Sequence, residues 1–222
     1  VDDKYFTLEE LKEAIKENQT DKDGKLVVLY AGNKEAQHSY IEIAKDKGYQ
    51  VLLLDSPIIP HLIQKLESDN SGLTFVRVDS DHIDNLIKKE ETAISKLSTE
   101  EQESLKTVVE TIVPKQTYTV QLEALDSSAA PFIITQPEFM RRMKEMSQTG
   151  GGGMFGMGNF PEMYNLVVNT NSDLATSILN NEDKTVQENL VKQALDLAKL
   201  SQNLLKGEAL TAFVKRSFEM IK

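Results

Sequence analysis

Apolar positions along this chain follow two periods in alternation, and the switches between them set out its elements. Thr7-Leu-Glu-Glu10 is a capping box, in which Thr7 accepts from the third helical amide and Glu10 reaches back; it predicts a helix from about Leu8 to Asn18. The apolar run Leu26 to Tyr30 then reads as a buried strand. Gly32-Asn33 ends it before a helix over about 34–47 that Gly48 stops. The cycle repeats with a second strand from Tyr49 to Leu54, a helix capped by Asp55-Ser56-Pro57, and a third strand from Leu73 to Val78 after the turn Asp69-Asn-Ser-Gly72. Strands alternating with helices pair in parallel through right-handed crossovers, so residues 1 to about 80 predict a small three-layer α/β unit.

From Asp79 to Glu103 charge dominates and apolar positions thin out, which marks a boundary near residue 90. Ser98-Thr-Glu-Glu101 is a second capping box and opens a helix to about Ile112 that Pro114 ends. Short runs at Tyr118 to Leu122, Phe132 to Thr135 and Tyr164 to Val168 predict a small, mostly antiparallel sheet, and Asn171-Ser172-Asp173 caps a helix over about 174–179. The expected fold is therefore α/β at the amino end and α+β overall. Residues 1–90 form the parallel unit, and 91–222 a mixed α+β domain ending in a helical hairpin.

The hairpin carries more apolar surface than one molecule covers. Between Thr185 and Leu205, Val186, Leu190, Val191, Ala194, Leu195, Leu197, Ala198, Leu200, Leu204 and Leu205 wrap roughly 220° of a helix. After Lys206-Gly207, Leu210, Phe213, Val214, Phe218, Met220 and Ile221 take about half the circumference of another. Two such hairpins stacked about a two-fold axis make a four-helix bundle. Its dimer interface is expected at Leu190, Val191, Ala194, Leu197, Leu204, Leu210, Phe213, Val214 and Phe218.

Six of the seven methionines lie between Met140 and Met163. On a helix, Phe139, Met140, Met143 and Met146 share an arc of roughly 120°, with Glu138, Arg141, Arg142, Lys144 and Glu145 on the rest. Such a stripe alone reads as core. The glycines that follow, Gly150 to Gly153, Gly156 and Gly158, instead suggest an arm that is tethered rather than clamped. Methionine re-packs against differently shaped partners at low cost, which suits a promiscuous binding face.

Composition narrows the function further. A net charge of −10 and a pI near 4.9, with no basic stripe, argue against duplex nucleic acid as a partner. The absence of cysteine removes disulfides, thiolate catalysis and thiolate-held metals, in keeping with a reducing cytoplasm. No signal peptide or membrane-length apolar run stands out, and the opening at Val1 without an initiating Met suggests a fragment. His38, His61 and His82 have no metal-ligand spacing and are expected at surfaces or edges. Asp55 ends a strand where open α/β sheets place functional carboxylates, but Asp-Ser-Pro reads more simply as a helix cap. A single glycine in Tyr30-Ala-Gly-Asn-Lys34 gives no dinucleotide fingerprint, and the later glycine run gives no phosphate loop. No catalytic or cofactor-binding residue emerges.

Several landmarks in order resemble the heat-shock protein 90 chaperones, of the bacterial high-temperature protein G type. They are Tyr5-Phe-Thr-Leu-Glu-Glu10, Leu52-Leu-Leu-Asp-Ser-Pro-Ile58 with Gln64-Lys-Leu66, Ala130-Pro-Phe-Ile-Ile-Thr135 ahead of the methionine helix, Asn169-Thr-Asn-Ser-Asp173 and Phe213-Val-Lys-Arg216. The resemblance implies that residues 1 to about 90 are the last subdomain of the chaperone's middle domain and the remainder its C-terminal dimerisation domain. ATP and Mg²⁺ would then belong to an upstream domain, and this segment would be no enzyme. It further implies client contacts at Phe139, Met140, Met143 and Met146, at Met154, Phe155 and Met157, and on the helix after Leu-Leu-Asp-Ser-Pro at His61, Leu62 and Gln64. His61 stands where bacterial relatives commonly carry tryptophan. The expected partners are a second copy and unfolded or partly folded proteins, in the cytoplasm. No tetratricopeptide co-chaperone is expected, since the chain lacks a Met-Glu-Glu-Val-Asp tail. The rival reading is a small α/β nucleotide- or metabolite-binding enzyme domain fused to a helical dimer module, with Asp55 and Lys34 near the strand ends.

Overall fold

The computed structural model describes residues 4–88, 93–142 and 163–220. In chain order the elements are α1 (Leu8–Ile15), β1 (Leu26–Ala31), α2 (His38–Asp46), β2 (Val51–Leu53), α3 (Ile59–Asp69), β3 (Leu73–Arg77), α4 (Ile83–Leu86), α5 (Thr99–Ile112), β4 (Tyr118–Glu123), β5 (Phe132–Thr135), α6 (helical residues 138–142), β6 (Tyr164–Asn169), α7 (Asp173–Leu179), α8 (Lys184–Ser201) and α9 (Gly207–Met220). They form two compact units: 4–88 with 136–142, and 93–135 with 163–220. Residues 136–142, placed above in the 91–222 domain, thus group with the first unit.

The first unit is built on a parallel sheet of order β2-β1-β3, with Leu29 of β1 opposite Val51 and Val76. β1 takes the centre because Val27 to Ala31 are all buried, which only a strand covered on both faces tolerates. Val28, Tyr30, Leu73 and Phe75 pack against Leu11 and Ile15 of α1 and Ile63 of α3.

The capping box at Thr7 forms: Thr7 Oγ1 accepts from Glu10 N at 3.3 Å, and Glu10 Oε2 accepts from Thr7 N at 2.8 Å. Those bonds to the Thr7 backbone and hydroxyl hold the Glu10 carboxyl below its usual pKa. α1 ends at Ile15 rather than Asn18 because Gln19 is drawn into the sheet. Its Nε2 donates to Val27 O at 2.9 Å and its Oε1 accepts from Gln50 N.

α2 starts at His38 rather than 34. Asn33 Oδ1 accepts from Glu35 N and Ala36 N, and Gln37 Oε1 from Gly32 N and Asn33 N, so side chains here compete with the first helical turn. Gly48, at φ +75°, ends α2 in the left-handed conformation that a glycine reaches without strain. Asp55-Ser-Pro does not cap α3, which begins at Ile59 with no side-chain cap. Pro60 in the first turn has no N–H, so one donor that a cap would satisfy is missing already.

The second unit holds a sheet of order β4-β6-β5. β4 runs parallel to β6 and β5 antiparallel, so the sheet is mixed rather than mostly antiparallel. β6 is central because Leu166, Val167 and Val168 are all fully buried. Leu105 and Val109 of α5, Ile178 of α7, and Val191, Leu195 and Ala198 of α8 cover one core with Tyr118, Phe132, Ile134 and Leu166. Ser98 and Glu101 complete the second capping box, and Ser172 caps α7.

After β6 the chain makes a buried polar turn. Asn169 Oδ1 accepts from Leu125 N and Asn171 N while its Nδ2 donates to Asp126 O. Asn171 Oδ1 accepts from Lys96 N, and its Nδ2 donates to Ile94 O and Leu125 O. This explains Asn169-Thr-Asn-Ser physically: two amides fasten three stretches of backbone without regular structure. No described helix is long and apolar enough to cross a membrane.

Candidate functional site

The described start of the methionine-rich arm is one helical turn, and side chains the sequence placed on its solvent face hold it. Arg141 is 3% exposed. Its guanidinium donates to Tyr30 Oη and Glu138 Oε1, lies 5.7 Å from the Tyr30 ring centroid, and donates through Nε to Glu138 Oε2 at 3.2 Å. Arg142 turns to α3 and β3. NH1 donates to Glu67 Oε2 at 3.0 Å, NH2 to Glu67 Oε1 at 3.3 Å and to Phe75 O, and Nε to Glu138 Oε1 at 2.7 Å. Burial opposes the charge of Arg142, but hydrogen bonds and charge from Glu67 and Glu138 outweigh it and raise its pKa above the ordinary guanidinium value.

The expectation of an arm that is tethered rather than clamped therefore does not hold for residues 138–142. Two arginines at i+3 and i+4 from Glu138 were the available signal. From sequence alone they read as a solvated face.

Phe139 on this turn is 71% exposed and Met140 is half-buried. Met143, Met146, Met154, Phe155 and Met157 lie outside the described residues. On α3, His61, Leu62 and Gln64 are exposed, as is Ile58 just before it, while Ile63 faces the core. An exposed apolar pair, Ile58 just before α3 and Leu62 within it, thus sits at the amino end of the helix whose carboxyl half supplies Glu67.

The hairpin of α8 and α9 shows a similar division. Val191, Ala194 and Phe213 are buried inside the protomer, and Leu190, Leu204 and Leu210 are half-buried. Leu197 at 52% and Phe218 at 65% are exposed, together with Val186, Leu200 and Val214. Positions 186, 197 and 200 share one side of α8, and 210, 214 and 218 one side of α9. Polar contacts join the two helices: Arg216 Nε donates to Gln193 Oε1 at 2.8 Å, Arg216 NH2 to Asp196 Oδ2 at 2.7 Å, and Gln193 Nε2 to Ser217 Oγ at 3.0 Å.

At the carboxyl ends of the parallel strands a cleft of about 490 Å³ is lined by Gly32, Asn33, Gln37, Asp55, Arg77 and Asp79 among others. Arg77 is bonded through two nitrogens to Asp79, which leaves an ion pair rather than a free cation facing it. Lys34 is exposed and is not part of its lining.

His38 and His61 are exposed as expected, but His82 is 6% exposed. It is buried because its Nδ1 accepts from Asp84 N and caps α4. Burial pushes its pKa below the usual value, against the opposing pull of Asp84. Among the described residues, no three His, Cys, Asp or Glu side chains are grouped to hold a metal ion.

No family model matches the chain. Curated relatives do. The chain is 36% identical over 287 aligned positions to the chaperone protein HtpG of Bacteroides thetaiotaomicron, an alignment that covers 99% of this chain and 42% of the relative. To HtpG of Porphyromonas gingivalis it is 41% identical over 203 positions, covering 90% of this chain and 30% of the relative. The chain thus spans less than half the length of the relatives it matches, and the aligned part is their C-terminal part. With landmark residues in family order and identity sustained across nearly the whole chain, these 222 residues belong to the heat-shock protein 90 family as a segment of an HtpG-type chaperone.

Proposed function

We propose that this chain is the dimerising and client-binding segment of an ATP-dependent chaperone. In this reading the first unit is a three-layer α/β subdomain, and the α8–α9 hairpins of two copies stack into a four-helix bundle that sets two client-binding arms across a shared cleft. ATP and Mg²⁺ act on a domain outside these residues. The segment itself has no catalytic step and no cofactor, and it works in the cytoplasm.

One observation supports the reading above the rest: although Tyr5, Ile94 and others are exposed elsewhere, several exposed apolar side chains cluster along the α8–α9 hairpin and at two places on the first unit. Val186, Leu197, Leu200, Val214 and Phe218 lie on the hairpin, and Phe139, Ile58 and Leu62 lie on the first unit. Burying one such side chain contributes about 1.5–3 kcal/mol, so a few contacts per protomer give a weak grip that two protomers reinforce. The family shown by sequence identity supports the same assignment.

The test is binding of a permanently unfolded, reduced and alkylated protein. Phe139→Ser with Met140→Ser is expected to weaken it about tenfold or more while the dimer persists. Unchanged binding would remove the client role from the arm. A second reading, a metabolite site, is favoured by the cleft at the strand ends beside Asp55. Saturable binding of a nucleotide that Asp55→Ala abolishes would establish it.

A further inference from the structure

We propose that Arg142 and Glu67 are positioning residues, which fix the first turn of the methionine-rich arm against α3 so that Phe139 and Leu62 are held at a set separation for a client segment that spans both. The inference rests on the client-binding reading above and adds the device that aligns the two patches.

The geometry carries it. Glu67 is itself immobilised, because its Oε1 accepts from Phe75 N at 2.7 Å. Arg142 grips the same carboxylate through two nitrogens, donates to the carbonyl of that same Phe75, and takes Glu138 of its own turn with Nε. One planar fork therefore spans α6, α3 and β3, an arrangement that an ammonium group cannot reproduce. Charge balances, with Arg141 and Arg142 set against Glu67 and Glu138. The clasp also occupies the ends of two elements that expose apolar side chains elsewhere. Arg142 follows Phe139 by one turn, and Glu67 follows Leu62 on α3.

Tracing from Leu62 to Glu67, across the ion pair and back to Phe139 limits the distance between the patches to roughly 25 Å, which ~8 extended residues cover. Two sites on one rigid frame meet the second half of a bound segment at an effective concentration in the millimolar range. Releasing the arm lowers that concentration and leaves each patch intact.

The experiment compares two labelled peptides on the purified chain by fluorescence anisotropy. One has about 20 residues with Leu-Phe-Leu clusters at both ends. The other has about 4 residues and a single cluster, so that it engages one patch at a time. Arg142→Lys and Glu67→Gln are expected to weaken the long peptide about tenfold and the short one less than about twofold. Because the chain has no cysteine, Glu67→Cys with Arg142→Cys can be joined by a short bis-maleimide, and the joined protein is expected to regain the long peptide's affinity. Equal weakening of both peptides, or no rescue by the cross-link, would overturn the positioning role. If Phe139→Ser and Leu62→Ser leave both peptides bound as before, the client reading itself fails.

Discussion

Arg142 and Glu67 lie 75 positions apart in sequence and share a two-nitrogen ion pair, NH1 to Oε2 at 3.0 Å and NH2 to Oε1 at 3.3 Å. Each side chain is about one quarter exposed. Removing one partner strands the other's charge where water only partly reaches it. Arg142→Met is therefore expected to cost about 1–3 kcal/mol, below the loss for a fully buried pair, and Arg142→Met with Glu67→Gln, which keeps the acceptor for Phe75 N, less than the single change. Urea denaturation midpoints check both, and a double variant weaker than the single one would contradict the pairing.

Asn169 carries a larger share of the second unit. Replacing it with Ala leaves Leu125 N and Asn171 N without their acceptor in a buried turn, whereas Asp126 O keeps Ala129 N, at an expected loss of about 2–4 kcal/mol. Hydrogen exchange reads the local effect. The Leu125 and Asn171 amides should exchange faster in Asn169→Ala, whereas retained protection would show that other acceptors replace the side chain.

Acid should weaken the first unit through His82. Its pKa is lowered in the folded state from the ordinary 6.5 by burial, so between 6.5 and that lower value the unfolded chain binds the extra proton and the folded chain does not. The stability contribution is whole above pH 6.5 and is lost as pH falls through this window. Asp84, Asp81 and Lys47 face the ring and set how far the window extends. His82→Asn keeps a cap acceptor without a titrating group and is expected to flatten the dependence that sets in as pH falls below 6.5. The same slope in that variant would assign the effect to other groups.

The sequence was readable wherever local chemistry decided the structure. Both capping boxes form at Thr7 and Ser98, and the alternation of three apolar runs with helices was enough to predict the parallel sheet. It misled where a distant partner decided. α1 stopped short of Asn18 where the Gln19 side chain bonds to Val27 and Gln50, and β6 took the centre of a mixed sheet, because burial on both sides was available only in the assembled unit. The polar face of α6 followed the same rule. A helical wheel assigns Glu138, Arg141 and Arg142 to solvent, and only Glu67, Phe75 and Tyr30, far away in sequence, make that face an anchor. His82 escaped notice because its role as a cap depends on a burial that one histidine in a charged stretch does not announce.

The face of the α8–α9 hairpin left exposed in the protomer is the proposed contact between two copies. Sedimentation velocity tests it on the wild-type chain and on Leu197→Glu with Phe218→Glu. Both positions face outward, so protomer stability is expected to stay within about 0.5 kcal/mol. The expected result is a dimer at micromolar concentration for the wild type and a monomer with an unchanged urea midpoint for the variant. A wild-type monomer, or a variant that remains dimeric, would contradict it.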